Sequence, residues 1–128
     1  MRTVCPQCKT LYEPSAAQRR RFGAWFGPAG NLSKGRGCPA CRLTGFLGRM
    51  GLFEFVPVEA GLADPIRLEA DADTLRRAAR VAGCRSLWAD GFDKIRAGIT
   101  SLDEVLGVLA GYPLPAAEEE PALNRART

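Results

Sequence analysis

Among its 128 residues the chain has no histidine at all. That absence excludes any mechanism needing an imidazole base, and with it Cys-His and Ser-His nucleophile pairs. No stretch approaches the roughly 20 consecutive apolar residues that span a bilayer. Met1–Lys9 lack the basic-then-apolar layout of a secretory signal. A cytosolic setting is therefore expected, where five cysteines point to metal or free thiols rather than disulfides. Acids are scarce at one end only. Residues 1–50 carry nine Arg or Lys against the single acid Glu13, whereas residues 51–128 carry nine against thirteen. A surface so basic suits an acidic partner, an anionic membrane face or nucleic acid. The plain alternative is a solvated surface in an arginine-rich chain, with 15 Arg against 3 Lys. The remaining composition, 46% hydrophobic and 25% charged, argues against wholesale disorder. The length suits one ordinary domain, or a metal module with a small helical unit.

The expected architecture is a small α+β fold in three regions: a tetracysteine module over 1–48, one strand followed by a helical cluster over 49–111, and a disordered tail over 112–128. A short helix starts near Ser15, a suitable N-cap, and is stopped early by Gly23, Gly27, Pro28 and Gly30. Residues 49–58 are β-branched and aromatic, and too short for a helix between Gly51 and Pro57, so they read as a strand. Leu52, Val56 and Val58 fall on one face, with Phe53 and Phe55 on the other. Such a strand wants burial on both faces, and without a neighbour it is an aggregation hazard. Asp64-Pro65 reads as a helix start. Further helices are expected from about Asp73 to Ala82, ended by Gly83, and from about Ser86 to Ala97, ended by Gly98. Trp88, Phe92, Ile95 and Ile99 form the apolar stripe of the second of these. Ser101 and Glu104 make a capping box for a last helix carrying Leu102, Val105, Leu106 and Leu109. The tail, from Tyr112 to Thr128, is rich in Pro, Ala and Glu.

The chemistry lies in the spacing Cys5-x2-Cys8-x29-Cys38-x2-Cys41. A two-residue gap turns both sulfurs of a pair toward one point, and backbone N–H groups after the first cysteine then offset its charge. Pro6 and Pro39 preset the turn where no donor is needed. Four thiolates from two knuckles are the donor set of a closed structural zinc site, and Lys9 and Arg42 add positive charge beside it. Structural zinc contributes on the order of 10–16 kcal/mol, more than the whole stability of a typical small domain. One Zn²⁺ is therefore expected on Cys5, Cys8, Cys38 and Cys41, with the module unfolded without it. An iron site of the rubredoxin kind is the nearest competitor, but Lys9 and Arg42 stand where rubredoxin-like knuckles have glycine. A redox dithiol would need a thioredoxin-like fold that is not visible. Cys84, at the junction Gly83-Cys84-Arg85, reads as a buried inert thiol.

With these pieces in order, residues 2–110 resemble the C-terminal part of the type II secretion and type IV pilus assembly ATPases. The matching segments are Arg2-Thr-Val-Cys-Pro-Gln-Cys8, Gly37-Cys-Pro-Ala-Cys41, Thr44-Gly-Phe-Leu-Gly-Arg-Met-Gly-Leu-Phe-Glu-Phe55, Gly83-Cys-Arg-Ser-Leu87, Asp90-Gly-Phe-Asp-Lys-Ile95 and Gly98-Ile-Thr-Ser-Leu-Asp-Glu-Val-Leu106. The resemblance implies a zinc module that forms a knob late in a RecA-like ATPase domain. It also implies partners: the ATPase core, or the inner-membrane platform and its adaptor proteins. The location implied is cytoplasmic and peripheral to the bacterial inner membrane, with contact to its anionic surface. The family's phosphate loop, Mg²⁺-binding segment and histidine motif have no counterpart here. Near Gly30 and Gly35, Lys34 precedes its glycine rather than following it. ATP is therefore not expected to bind this chain alone, and the chain is not expected to be an enzyme. A separated C-terminal fragment is the corresponding expectation, with residues 49–58 pairing into the ATPase sheet of the larger protein.

The functional expectation is an accessory contact module presenting Arg19, Arg20, Arg21, Phe22, Trp25 and Phe26. The alternative for these residues has the aromatics packing over the knuckles and the arginines solvated. A nucleic-acid-binding zinc ribbon is a competing reading, through arginine contacts and base stacking. The acidic second half and the lack of one extended basic face stand against it.

Overall fold

The computed structural model describes residues 1–26 and 30–114, apart from the side chain of Ala60. Residues 115–128 of the expected tail lie outside the described residues. The fold is α+β, with five α-helices and short strands among the described residues. Strand β1 (Arg2–Val4) pairs antiparallel with β4 (Phe46–Arg49), and β2 (Lys9–Tyr12) pairs antiparallel with β3 (Leu32–Gly35). Helix α1 (Ala16–Phe26) connects β2 to β3. A 3₁₀ turn, Pro39–Cys41, forms the second knuckle. Helices α2 (Ala60–Arg67), α3 (Ala72–Val81), α4 (Leu87–Arg96) and α5 (Leu102–Val108) follow. None of the described helices is long and apolar enough to cross a membrane.

Helix starts follow local side-chain chemistry. The Ser15 hydroxyl accepts from the Gln18 N–H at 3.2 Å, and the Gln18 side chain accepts from the Ser15 N–H at 2.9 Å. This reciprocal box starts α1 where expected, but the helix continues through Gly23 to Phe26. Its apolar side buries Phe22, Trp25 and Phe26, which outweighs the roughly 1 kcal/mol that an interior glycine costs. Asp71, Ser86 and Ser101 cap α3, α4 and α5. Glycine in the left-handed region ends α3 at Gly83 and α4 at Gly98.

Two expectations are corrected. Asp64-Pro65 does not begin a helix: α2 starts four residues earlier, after Glu59, with Pro65 inside it. Leu62 supplies the reason, since it is buried against Ala79 and Cys84 and needs the preceding turn helical to get there. Residues 50–58 are not a strand. The nearest strand, β4, ends at Arg49, and the following segment joins no strand pairing among the described residues. Side chains hold it instead: the Asp90 carboxylate accepts from the Phe53 N–H at 2.9 Å, and the Glu54 carboxylate accepts from the Leu87 N–H at 3.4 Å. The expected alternation holds as far as Val56 and fails at Val58, which is exposed. Leu52 and Val56 pack inward, while Phe53 and Phe55 are 69% and 81% exposed.

The largest core joins both halves of the chain. Phe22, Trp25 and Phe26 of α1, with Leu32 of β3, pack against Trp88, Ala89, Phe92 and Ile95 of α4 and against Leu102, Val105 and Leu109. Phe92 is its centre: Trp25 stacks on it with ring centroids 4.6 Å apart, and Phe22, Phe26 and Trp88 lie within 6.0 Å. Leu62, Ala79 and Cys84 form a smaller cluster between α2 and α3. Cys84 is therefore a packed side chain, as the sequence suggested.

Candidate metal centre

The two Cys-Pro-x-Cys segments meet. The Sγ atoms of Cys5, Cys8, Cys38 and Cys41 all lie within 4.8 Å of one another. Cys5 and Cys38 are 3.8 Å apart, Cys8 and Cys41 3.9 Å, and Cys38 and Cys41 3.7 Å. A tetrahedral zinc with Zn–S bonds of about 2.3 Å requires sulfurs about 3.8 Å apart. The four thiols thus have the donor set of such a site, with three of the six sulfur pairs at its separation, and can hold a metal ion. Cys5, Cys8 and Cys41 are buried and Cys38 is partly so, which shields the centre from water.

Backbone hydrogen bonds build the pocket from both knuckles. The Cys5 N–H donates to the Gly45 carbonyl at 2.9 Å, and the Arg36 N–H donates to the Cys8 carbonyl at 3.0 Å. Each knuckle is thereby tied to the chain beside the other. The approach is so close that a Cβ on Gly35 would strike the backbone of Gly45. Arg42 and Leu43 adopt φ of 51° and 63°, a left-handed pair without glycine. The Leu43 N–H reaches the Cys38 carbonyl at 2.9 Å and the Thr44 N–H reaches the Cys41 carbonyl at 3.1 Å, which holds that conformation in place.

Donors to sulfur are arranged differently from the expectation. They converge on Cys41, the second cysteine of its pair: the N–H groups of Cys38 and Gly45 both lie 3.2 Å from its sulfur. Burial opposes ionisation of Cys41, but these two N–H groups and the Cys38 and Cys8 thiols outweigh it and bring its pKa down to about 6. Burial pushes Cys8 up to about 11, opposed by the Gly37 N–H and reinforced by the other three thiols. Cys41 is therefore ready to ionise at neutral pH, whereas Cys8 is not.

The expected basic-aromatic surface does not form. Phe22, Trp25 and Phe26 are buried, and they face α4 rather than the knuckles. Only the arginines of that set remain outside, with Arg19, Arg20 and Arg21 exposed on α1. No aromatic of α1 is left free to stack on a base, which removes the stacking half of the nucleic-acid reading.

The comparisons with known proteins agree with this picture. Residues 1–107 match the profile of a family described as type II/IV secretion system protein. The chain is 39% identical over 108 residues to the type II secretion system ATPase E of Vibrio cholerae, covering 84% of this chain and 21% of that protein. It is 33% identical over 118 residues to the type IV pilus assembly ATPase TfpB of Acinetobacter baylyi, covering 85% and 19%. It is 34% identical over 108 residues to the type IV pilus assembly ATPase PilB of Thermus thermophilus, covering 83% and 12%. The chain thus spans about a fifth or less of the length of these curated relatives.

Proposed function

Because the chain belongs to the type II/IV secretion system protein family, we propose that it serves such a machine as a structural zinc module. Cys5, Cys8, Cys38 and Cys41 are the four ligands of one Zn²⁺. The observation that carries this reading is the convergence of four sulfurs from two separate knuckles. All four positions are taken by protein sulfur, so the ion has no open site for substrate and acts structurally. Residues 1–48 are the zinc module and residues 49–111 the helical subdomain that it steadies.

The role is contact rather than phosphoryl transfer. Relatives are named as ATPases, but this sequence has no phosphate-binding loop to cradle a nucleotide. The module binds protein surfaces of the motor, either the ATPase core or the inner-membrane platform with its adaptors. It works at the cytoplasmic face of the bacterial inner membrane, where the anionic surface suits its basic half. The exposed Phe53, Phe55 and Val58 are an apolar surface for such a partner to cover.

Native mass spectrometry with elemental analysis tests the zinc assignment. One colourless Zn²⁺ per chain, lost in Cys38→Ser, is expected. A folded metal-free chain, or a red iron-bound one, overturns it. Calorimetric titration with MgATP is expected to show no saturable binding, and a defined one-site isotherm would overturn the non-catalytic part.

A further inference from the structure

The first knuckle grips a turn that contributes no sulfur. Arg2–Val4 immediately precede Cys5, and Lys9 immediately follows Cys8. Both flanks reach the α4–α5 turn, residues 98–101. The Val4 N–H donates to the Ile99 carbonyl at 2.8 Å. The Thr100 hydroxyl donates to the Arg2 carbonyl at 2.8 Å. Beyond the turn, the Glu104 carboxylate takes the Arg2 N–H at 2.7 Å and its guanidinium at 2.6 Å. On the other flank, Lys9 Nζ lies so close to Gly98 that a Cβ there would strike it.

These contacts leave the turn dependent on β1. Thr100 is fully buried, and Ser101 beside it nearly so. If β1 leaves, the Thr100 hydroxyl and the Ile99 carbonyl lose these partners. Strand β1 in turn depends on the knuckles, being three residues long and, among the described residues, paired only with β4, which follows the second knuckle. So short a ribbon does not stand in water by itself.

We propose that the metal centre acts as a clasp whose occupancy sets the order of the α4–α5 turn and the start of α5. This rests on the zinc reading above and extends it to residues that bind no metal. A surface built on the start of α5 is then presented only by the metal-loaded chain, so metal loss would release a docked partner without touching its contacts. Coupling of this kind is reciprocal: whatever loosens the turn must also loosen the metal.

Two measurements test it on the full chain, once native mass spectrometry has established the metal content. In hydrogen exchange, chelation is expected to lower the protection of peptides covering 98–106 at least tenfold, in step with 2–12. Metal transfer to a chromogenic chelator reads the reverse direction. Thr100→Val and Glu104→Gln are expected to speed release several-fold, although neither touches a sulfur. Asp73→Asn on α3 serves as the control and is expected to leave release unchanged. If chelation melts the whole chain, the release rates alone decide. Unchanged release in both turn variants, or protected 98–106 amides in the stripped protein, overturns the clasp. A chain that never held metal overturns the zinc reading itself, and the clasp with it.

Discussion

Arg2 and Glu104 stand 102 positions apart in the chain, yet the Glu104 carboxylate accepts three hydrogen bonds from Arg2, at 2.6, 2.7 and 3.0 Å. In the sequence Glu104 reads as the returning arm of a capping box with Ser101. The structure keeps half of that box: the Ser101 hydroxyl accepts from the Glu104 N–H at 3.3 Å. The carboxylate has been taken by Arg2 instead. A local capping signal thus also serves as a long-range tie between β1 and α5.

That tie makes acid stability predictable. The Arg2 hydrogen bond, less a smaller opposing burial effect, holds the Glu104 carboxyl below its ordinary value of 4.5. Asp93 is also held below its ordinary 3.8, where Arg85 and Arg96 outweigh the effect of its burial. A carboxyl depressed in the folded state stabilises it above the unfolded value, and the contribution is lost as pH falls through the folded one. Thermal unfolding between pH 7 and 3 is therefore expected to show a midpoint that drops below about pH 4.5. The drop should be smaller in Glu104→Gln, which has no carboxylate to protonate there. Parallel curves for the two proteins would show that the Arg2 contact contributes nothing.

Much of this was legible in advance, and the reasons differ by element. The cysteine spacing announced its geometry because a two-residue gap turns both sulfurs of a pair toward one point. The caps of α4 and α5 were legible because Ser86 and Ser101 act on N–H groups three residues away. Strands β2 and β3 were not legible. Lys-Thr-Leu-Tyr and Leu-Ser-Lys-Gly carry no clear alternation, and they are brought together by the knuckles rather than by an apolar face. Residues 50–58 had the composition of a strand, but composition cannot supply a neighbour to pair with. The burial of Phe22, Trp25 and Phe26 was hidden because their partner, Phe92, lies far along the chain.

Two helix-ending glycines separate backbone conformation from crowding. Gly83 and Gly98 both sit in the left-handed region, at φ 81° and 66°. A Cβ on Gly83 meets nothing within 4 Å, whereas one on Gly98 meets Lys9 Nζ and lies 2.9 Å from Ser33 Oγ. Alanine at Gly83 is expected to cost about 1 kcal/mol, the conformational penalty alone. Alanine at Gly98 should cost more, about 2 kcal/mol, because Lys9 and Ser33 must also move. Urea titrations of the two variants measure the difference directly. Equal costs would mean that the approach of Lys9 to the end of α4 is of no consequence.

The aromatic core offers the sharpest contrast between side chains of one type. Phe92 is completely buried, with Trp25 stacked on it at 4.6 Å and Trp88 at 6.0 Å. Removing its ring leaves a cavity at the seam between α1 and α4, so Phe92→Ala is expected to cost roughly 3–5 kcal/mol. Tryptophan emission should shift to the red as water reaches the two indoles. Phe55, at 81% exposure, has little ring area to lose, and Phe55→Ala should stay within about 0.5 kcal/mol in the isolated chain. Chemical denaturation followed by fluorescence reads both variants in one experiment. The same Phe55 substitution becomes informative in a test for the proposed protein partner. If that partner covers residues 53–58, Phe55→Ala should weaken the complex while leaving the free chain intact. A partner that binds wild type and Phe55→Ala equally well must dock elsewhere on the molecule.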